Sequence, residues 1–129
     1  MSRIKGKDTK PELLARKYLH ARGLRFRLHD KKLPGKPDIV LPKYRTVIQV
    51  HGCFWHKHEG CKYFVVPKTR TEWWLEKISK TARNDKDNLV KLEQLGWRTI
   101  VIWSCELKPK NIENTLKSLY DNIVGLELE

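Results

Sequence analysis

No run of apolar residues in this chain approaches the roughly 20 needed to cross a bilayer, and the opening MSRIKGKDTK lacks the apolar centre of a secretory leader. The expectation is a soluble, cytoplasmic protein. Cysteine is scarce and odd in number: Cys53, Cys61 and Cys105. In an intracellular chain that count argues against a disulfide framework and leaves metal ligation or ordinary buried thiols. Acid is also in short supply, 15 Asp and Glu against 27 Lys and Arg, a net charge of +12. Such a surplus on one small chain favours a polyanionic partner. Nucleic acid suits it better than an anionic membrane surface, because no basic amphipathic helix stands out. Repeats, low-complexity tracts and interdomain linkers are missing as well, and 129 residues fit a single domain over 1–129.

What is present reads as alternating elements. Thr9-Lys10-Pro11-Glu12 has the form of a capping box and opens a helix over about 10–22, stopped by Gly23. Leu24, Phe26 and Leu28 then alternate with Arg25, Arg27 and His29, the period of a half-buried strand. After the turn LPGKP, Asp38 leads into Ile39-Val40-Leu41, and Pro42-Lys43-Tyr44 turns the chain into a second strand, Thr46 to Val50. A helix is expected from Thr71 to Leu95, with a break near Ser79–Thr81, and Gly96 ends it. WRTIVIW, 97–103, reads as a buried strand, and a last helix runs from about Ile112 to Val124. The order αβββαβα implies an α/β fold, a mixed sheet flanked by helices.

The chemistry gathers in VIQVHGCFWHKHEGC, residues 47–61. Cys53, His58 and Cys61 have the spacing C-x4-H-x2-C, and Cys105, just beyond a core strand, is the obvious fourth ligand for tetrahedral closure of a structural zinc site. Such an ion would tie a long loop to the sheet in a chain with a small core. The bland alternative is buried thiols and unrelated surface imidazoles. Asp38 follows Pro37 at a strand start, and Gln49 and His51 share one face of the paired strand, so a carboxylate and an imidazole can meet in one pocket. Asp38, a backbone carbonyl near Val50, phosphate oxygens and waters would suit Mg2+. Against this, Pro-Asp is often only a turn. Phe54-Trp55 and Trp73-Trp74 are large aromatics on a basic chain, placed either to stack on or between bases or to pack over the loop.

Taken together, GKPDIV, HGCFWHKH, TRTEWWLEKI, QLGWR and IWSCEL closely resemble the very short patch repair endonucleases, over about four-fifths of the chain. The resemblance implies a restriction-endonuclease-like fold, a structural zinc, and Mg2+-dependent nicking of double-stranded DNA 5′ to the thymine of a T·G mismatch. By the match, Asp38 is the central magnesium ligand, joined by the Val50 carbonyl, and His51 and His56 flank the scissile phosphate. Glu12 falls on an acidic residue that supports the catalytic histidine and metal-bound waters. Cys53, His58, Cys61 and Cys105 fall on the zinc positions, and Phe54, Trp55 and Trp74 on aromatics inserted beside the mismatch. The same resemblance implies a monomeric bacterial enzyme acting at the nucleoid, with mismatch-repair proteins as partners.

The chain departs from the family pattern at several points. Val50 stands where relatives can carry threonine, one extra residue separates His58 from Cys61, and Gln49 and His51 occupy positions where the broader fold has an acid and a lysine. It also starts where relatives have a further upstream DNA-clamping arm, which implies a shortened form. Two rival readings accompany this one: a zinc-stabilised DNA-binding module without catalysis, and a restriction or mobile-element nuclease of the same fold that makes double-strand breaks.

Overall fold

A computed structural model of the chain describes residues 9–125. The first helix, α1 (Lys10–Ala21), is capped by Thr9, whose hydroxyl accepts the Glu12 N–H at 3.4 Å, a contact of about 1 kcal/mol in typical helices. Four strands follow in the spatial order β1-β2-β3-β4: β1 (Arg27–Leu28), β2 (Ile39–Leu41), β3 (Thr46–His51) and β4 (Arg98–Trp103). The first three pair antiparallel. β3 and β4 are parallel, with His51 opposite Trp103 at the last rung. A parallel neighbour needs a crossover, and here it is the cysteine and histidine loop followed by α2 (Thr71–Gln94). The chain closes on α3 (Ile112–Val124).

Alternation along the strands sorts the core into two faces. Ile39, Leu41 and Ile48 point to one side, where Ala15 and Leu19 of α1 and Leu116, Leu119 and Ile123 of α3 pack on them. Val40 and Val47 point to the other, against Leu92 of α2 and Trp97. The result is a mixed α/β sheet with helices on both sides. On the α2 side, period-two alternation puts Val47, Gln49 and His51 on one line, so the strand that builds the core also delivers a histidine to its end.

Three local expectations are corrected. The strand beginning at Leu24 shrinks to two residues, because Leu24 turns into the core, Leu28 is 40% exposed, and His29 takes a left-handed φ of 49° that swings the chain away. The break near Ser79–Thr81 does not occur. Thr81 shares the Lys77 carbonyl with the helical ladder at 3.3 Å without opening it, Ser79 takes the Lys57 ammonium at 3.4 Å, and buried Ile78 anchors that turn. The last strand starts at Arg98 rather than Trp97, and only Ile102 in it is fully buried. The expected upstream arm concerns chain outside the described residues. Among the described residues, no helix is long and apolar enough to cross a membrane.

Candidate active site and metal centre

The C-terminal ends of β3 and β4 lie side by side, and each runs directly into cysteine: His51-Gly52-Cys53 on one, Trp103-Ser104-Cys105 on the other. Two sites meet there. Cys53, His58, Cys61 and Cys105 come together with their ligating atoms all within 4.8 Å of one another, and the Cys105 sulfur is 3.5 Å from Nδ1 of His58. Ser104 pins the start of the loop, its hydroxyl accepting the Cys53 N–H at 3.3 Å. The thiols are electrostatically unequal. The Tyr63 N–H holds Cys61 below its ordinary value, while burial and then the neighbouring Cys53 and Cys61 sulfurs push Cys105 up to about 12. Three crowded thiols cannot all ionise without a cation among them, and a soft Cys3His donor set of this size fits a tetrahedral divalent ion.

The second site is a cleft of about 710 Å3 between the start of α1, the β2–β3 hairpin and α2, lined among others by Glu12, Asp38, Val50, His51, Trp55, His56 and Asp85. Asp38 precedes β2 and sits opposite β3, where its carboxylate accepts the Val50 N–H at 2.7 Å. It is the N–H of Val50 that meets this carboxylate, and Val50 itself lines the same cleft. Burial raises Asp38 to about 6; the Val50 hydrogen bond opposes this, and the nearby Glu12 charge adds to it. A carboxyl that is costly to ionise, 4.8 Å or less from a second carboxylate, fits a cation whose hard oxygen ligands it would supply.

His51 and His56 stack face to face, ring centres 3.9 Å apart and nearly parallel. Burial, then repulsion from His56, drops His51 to about 4, so it is neutral near pH 7; its Nδ1 is buried with no protein partner. His56 instead has a carboxylate, its Nδ1 lying 2.6 Å from Asp85 of α2. The carboxylate beside His56 is thus Asp85, whereas the family resemblance assigns support of the catalytic histidine to Glu12. Glu12 is buried on the first turn of α1 and holds Nε2 of His29 at 2.7 Å and Arg16 at 3.0 Å. The sequence reading singled out neither Asp85 nor His29. Asp85 carried a signal: it lies seven residues from buried Ile78 and seven from buried Leu92, a carboxylate on the inward stripe of α2. His29 carried none.

Phe54, Trp55 and Trp74 form one cluster, with ring centres 5.0 to 5.7 Å apart. Trp73 touches Trp74 from outside at 4.8 Å and is 42% exposed. Because Trp55 also lines the cleft, the aromatic group stands at its rim.

Comparison with known proteins gives the family. The family model for DNA mismatch endonuclease Vsr matches residues 1–62, the segment that carries Asp38, the histidine pair and Cys53 to Cys61. Over 108 residues the chain is 47% identical to the DNA mismatch endonuclease Vsr of Escherichia coli K12, covering 84% of this chain and 69% of that one. The chain belongs to the Vsr family of DNA mismatch endonucleases. It is a DNA endonuclease, and other relatives share most of its length. The type II nicking enzyme V.NmeAIP of Neisseria meningitidis serogroup A is 51% identical over 112 residues, 87% of this chain and 79% of its own. The type II nicking enzyme V.XorIIP of Xanthomonas oryzae pv. oryzae is 44% identical over 122 residues, 94% and 89%. Membership in the Vsr family gives the chain its class of substrate, DNA.

Proposed function

We propose that this Vsr-family protein is a Mg2+-dependent, strand-specific endonuclease that nicks double-stranded DNA 5′ to the thymine of a T·G mismatch, the first cut of very short patch repair, on a restriction-endonuclease-like sheet. The observation that carries the reading is a carboxylate, Asp38, sharing one cleft with a histidine and carboxylate couple, His56 and Asp85, beside an aromatic cluster.

The reaction is hydrolysis of one phosphodiester: water attacks phosphorus and the bond to the 3′ oxygen breaks. His56 takes the proton from that water. With its Nδ1–H donated to Asp85, the tautomer inferred from that bond, Nε2 is left as the acceptor, and Asp85 stabilises the imidazolium that forms. His51, neutral and stacked on His56, supplies a ring N–H to the phosphate without competing for the proton. Bound Mg2+, held by Asp38 and the Val50 carbonyl, would neutralise the phosphate and the leaving oxygen. Glu12, tied to Arg16 and His29, shapes the Asp38 side of the cleft. Cys53, His58, Cys61 and Cys105 would hold Zn2+ as a structural tie.

Selectivity comes from the rim. Phe54, Trp55 and Trp74 wedge into the duplex, and a mismatched step costs less to unstack than a paired one. One centre per chain suits a monomer that cuts one strand, which agrees with the relatives named as nicking enzymes. The test is incubation with T·G and matched duplexes, with and without Mg2+, each strand labelled in turn. The expected result is a single nick on the thymine strand of the mismatched duplex with Mg2+ only. Equal cutting of the matched duplex, or linearised plasmid as the first product, would overturn it.

A further inference from the structure

Four aromatic rings run without a gap from the cysteine cluster to the catalytic cleft. The His58 ring lies flat on Trp103, with centres 4.0 Å apart and planes 4° from parallel. The indole of Trp103 meets His51 edge-on at 5.2 Å and 75°, and His51 lies flat on His56 at 3.9 Å and 4°. His56 then ends on Asp85. The two ends of this row are held by different means, one by the Cys3His cluster and the other by a carboxylate on α2. The middle is held by backbone, since His51 and Trp103 face each other on the last rung of the parallel pair, and the Trp103 N–H is fixed by the Glu106 carboxylate at 2.9 Å.

We propose that Trp103 is a positioning residue for the catalytic histidine pair: its indole is the spacer through which the ligand His58 sets the placement of His51, and through it His56. The proposal rests on the reading of His56 as the group that activates water. A large flat ring is needed because only such a group can offer a face to His58 and an edge to His51 at once. Packed rings transmit position well, since a gap of even half an ångström forfeits a large part of the contact. A smaller side chain would leave the imidazole pair free to settle elsewhere while β4, buried through Ile102, kept its register. Displacement of a reacting group by about 1 Å costs up to roughly 100-fold in rate.

The test uses the full chain loaded with metal, as wild type, Trp103→Leu and Trp103→Phe. Three quantities are measured: the single-turnover nicking rate on a T·G duplex with saturating protein, the Kd for that duplex without Mg2+, and the metal content per chain. For Trp103→Leu the expected result is a rate lower by about 10- to 100-fold, with Kd within twofold and metal content unchanged. Trp103→Phe, which keeps a face and an edge, should recover to within about fivefold of wild type. Imidazole carbon–proton NMR provides a readout independent of cutting: His51 and His56 resonances should shift in the leucine variant and stay near wild type in the phenylalanine one. An unchanged rate in Trp103→Leu, or losses of metal and affinity that match the loss of rate, would overturn the proposal. If Trp103→Leu does not fold, a phenylalanine variant as slow as unstacking predicts would do the same. If wild type itself fails to nick, the catalytic reading fails, and the NMR comparison still decides whether Trp103 places the two rings.

Discussion

At the scale of single residues, the cleft is organised by how each ionisable group is partnered. Asp38 has one backbone donor, Val50 N–H, and is otherwise buried near another carboxylate, which raises it from 3.8 to about 6. The folded protein therefore holds a proton there that the unfolded chain releases. Its contribution to stability is complete below about pH 3.8 and is lost as pH rises through about 6, amounting to at most about 3 kcal/mol. In buffer free of divalent ions, Asp38→Asn should gain unfolding temperature over wild type as pH climbs from 4 to 7. Saturating Mg2+ should shrink that gap, because the ion then compensates the wild-type carboxylate. A difference between the two proteins that stays flat across this window would contradict the assignment.

Most of this residue set could be read from the chain, and the reason is local. Asp38, His51, His58 and the cysteines lie within short segments whose spacing states their relation, so strand alternation and ligand counting reach them, whereas His56 came from the family resemblance. Asp85 could not be paired with His56 in the same way. It sits in ARNDKDNL, where charged neighbours suggest a solvated face, and its partner is 29 residues away across a loop of irregular backbone. Only the phase of α2 between Ile78 and Leu92 hinted at it. The place of Glu12 on α1 was legible, whereas the left-handed turn that brings His29 beside it was not.

At the scale of elements, the feature that matters is the shared ending of β3 and β4. Hydrogen bonding between these strands sets the distance between Cys53 and Cys105, and the ion they would hold in turn closes a loop of about 50 residues that contains α2. Metal affinity at such a site is folding free energy. Replacing Cys105 by serine should therefore remove tightly bound zinc, measured by elemental analysis of the purified chain. It should also lower the unfolding temperature by on the order of 10 °C or more, since each kcal/mol is worth about 3–5 °C in a chain of this size. Full zinc content with unaltered melting would show that Cys105 is not a ligand. The order of elements and the β2–β3 hairpin were legible from periodicity; the two-residue β1 was not, because alternation in 24–29 records burial of Leu24 and Phe26 rather than pairing.

At the scale of the whole molecule, the proposed function has charge and wedge divide the work of binding. The surplus of 12 positive charges acts on phosphates irrespective of base sequence, so affinity for matched and T·G duplexes should fall with salt along parallel lines. For roughly five to eight neutralised phosphates the slope of log K against log salt should lie between about −4 and −7. On the proposed function the vertical offset between the lines would come from the aromatic cluster, so Trp55→Ala should reduce it while leaving the slopes in place. Fluorescence anisotropy over a salt series measures both quantities. Lines that diverge with salt, or an offset untouched in the variant, would place discrimination among the basic residues instead.

The unbroken course of α2 carries a geometric consequence. Trp74 and Asp85 stand on one rod, eleven residues and about 16 Å apart along its axis, with no hinge between them. On the proposed reading, a rigid ruler of that kind would fix the stride from the pried-open step to the severed linkage, holding the cut immediately 5′ to the mispaired thymine.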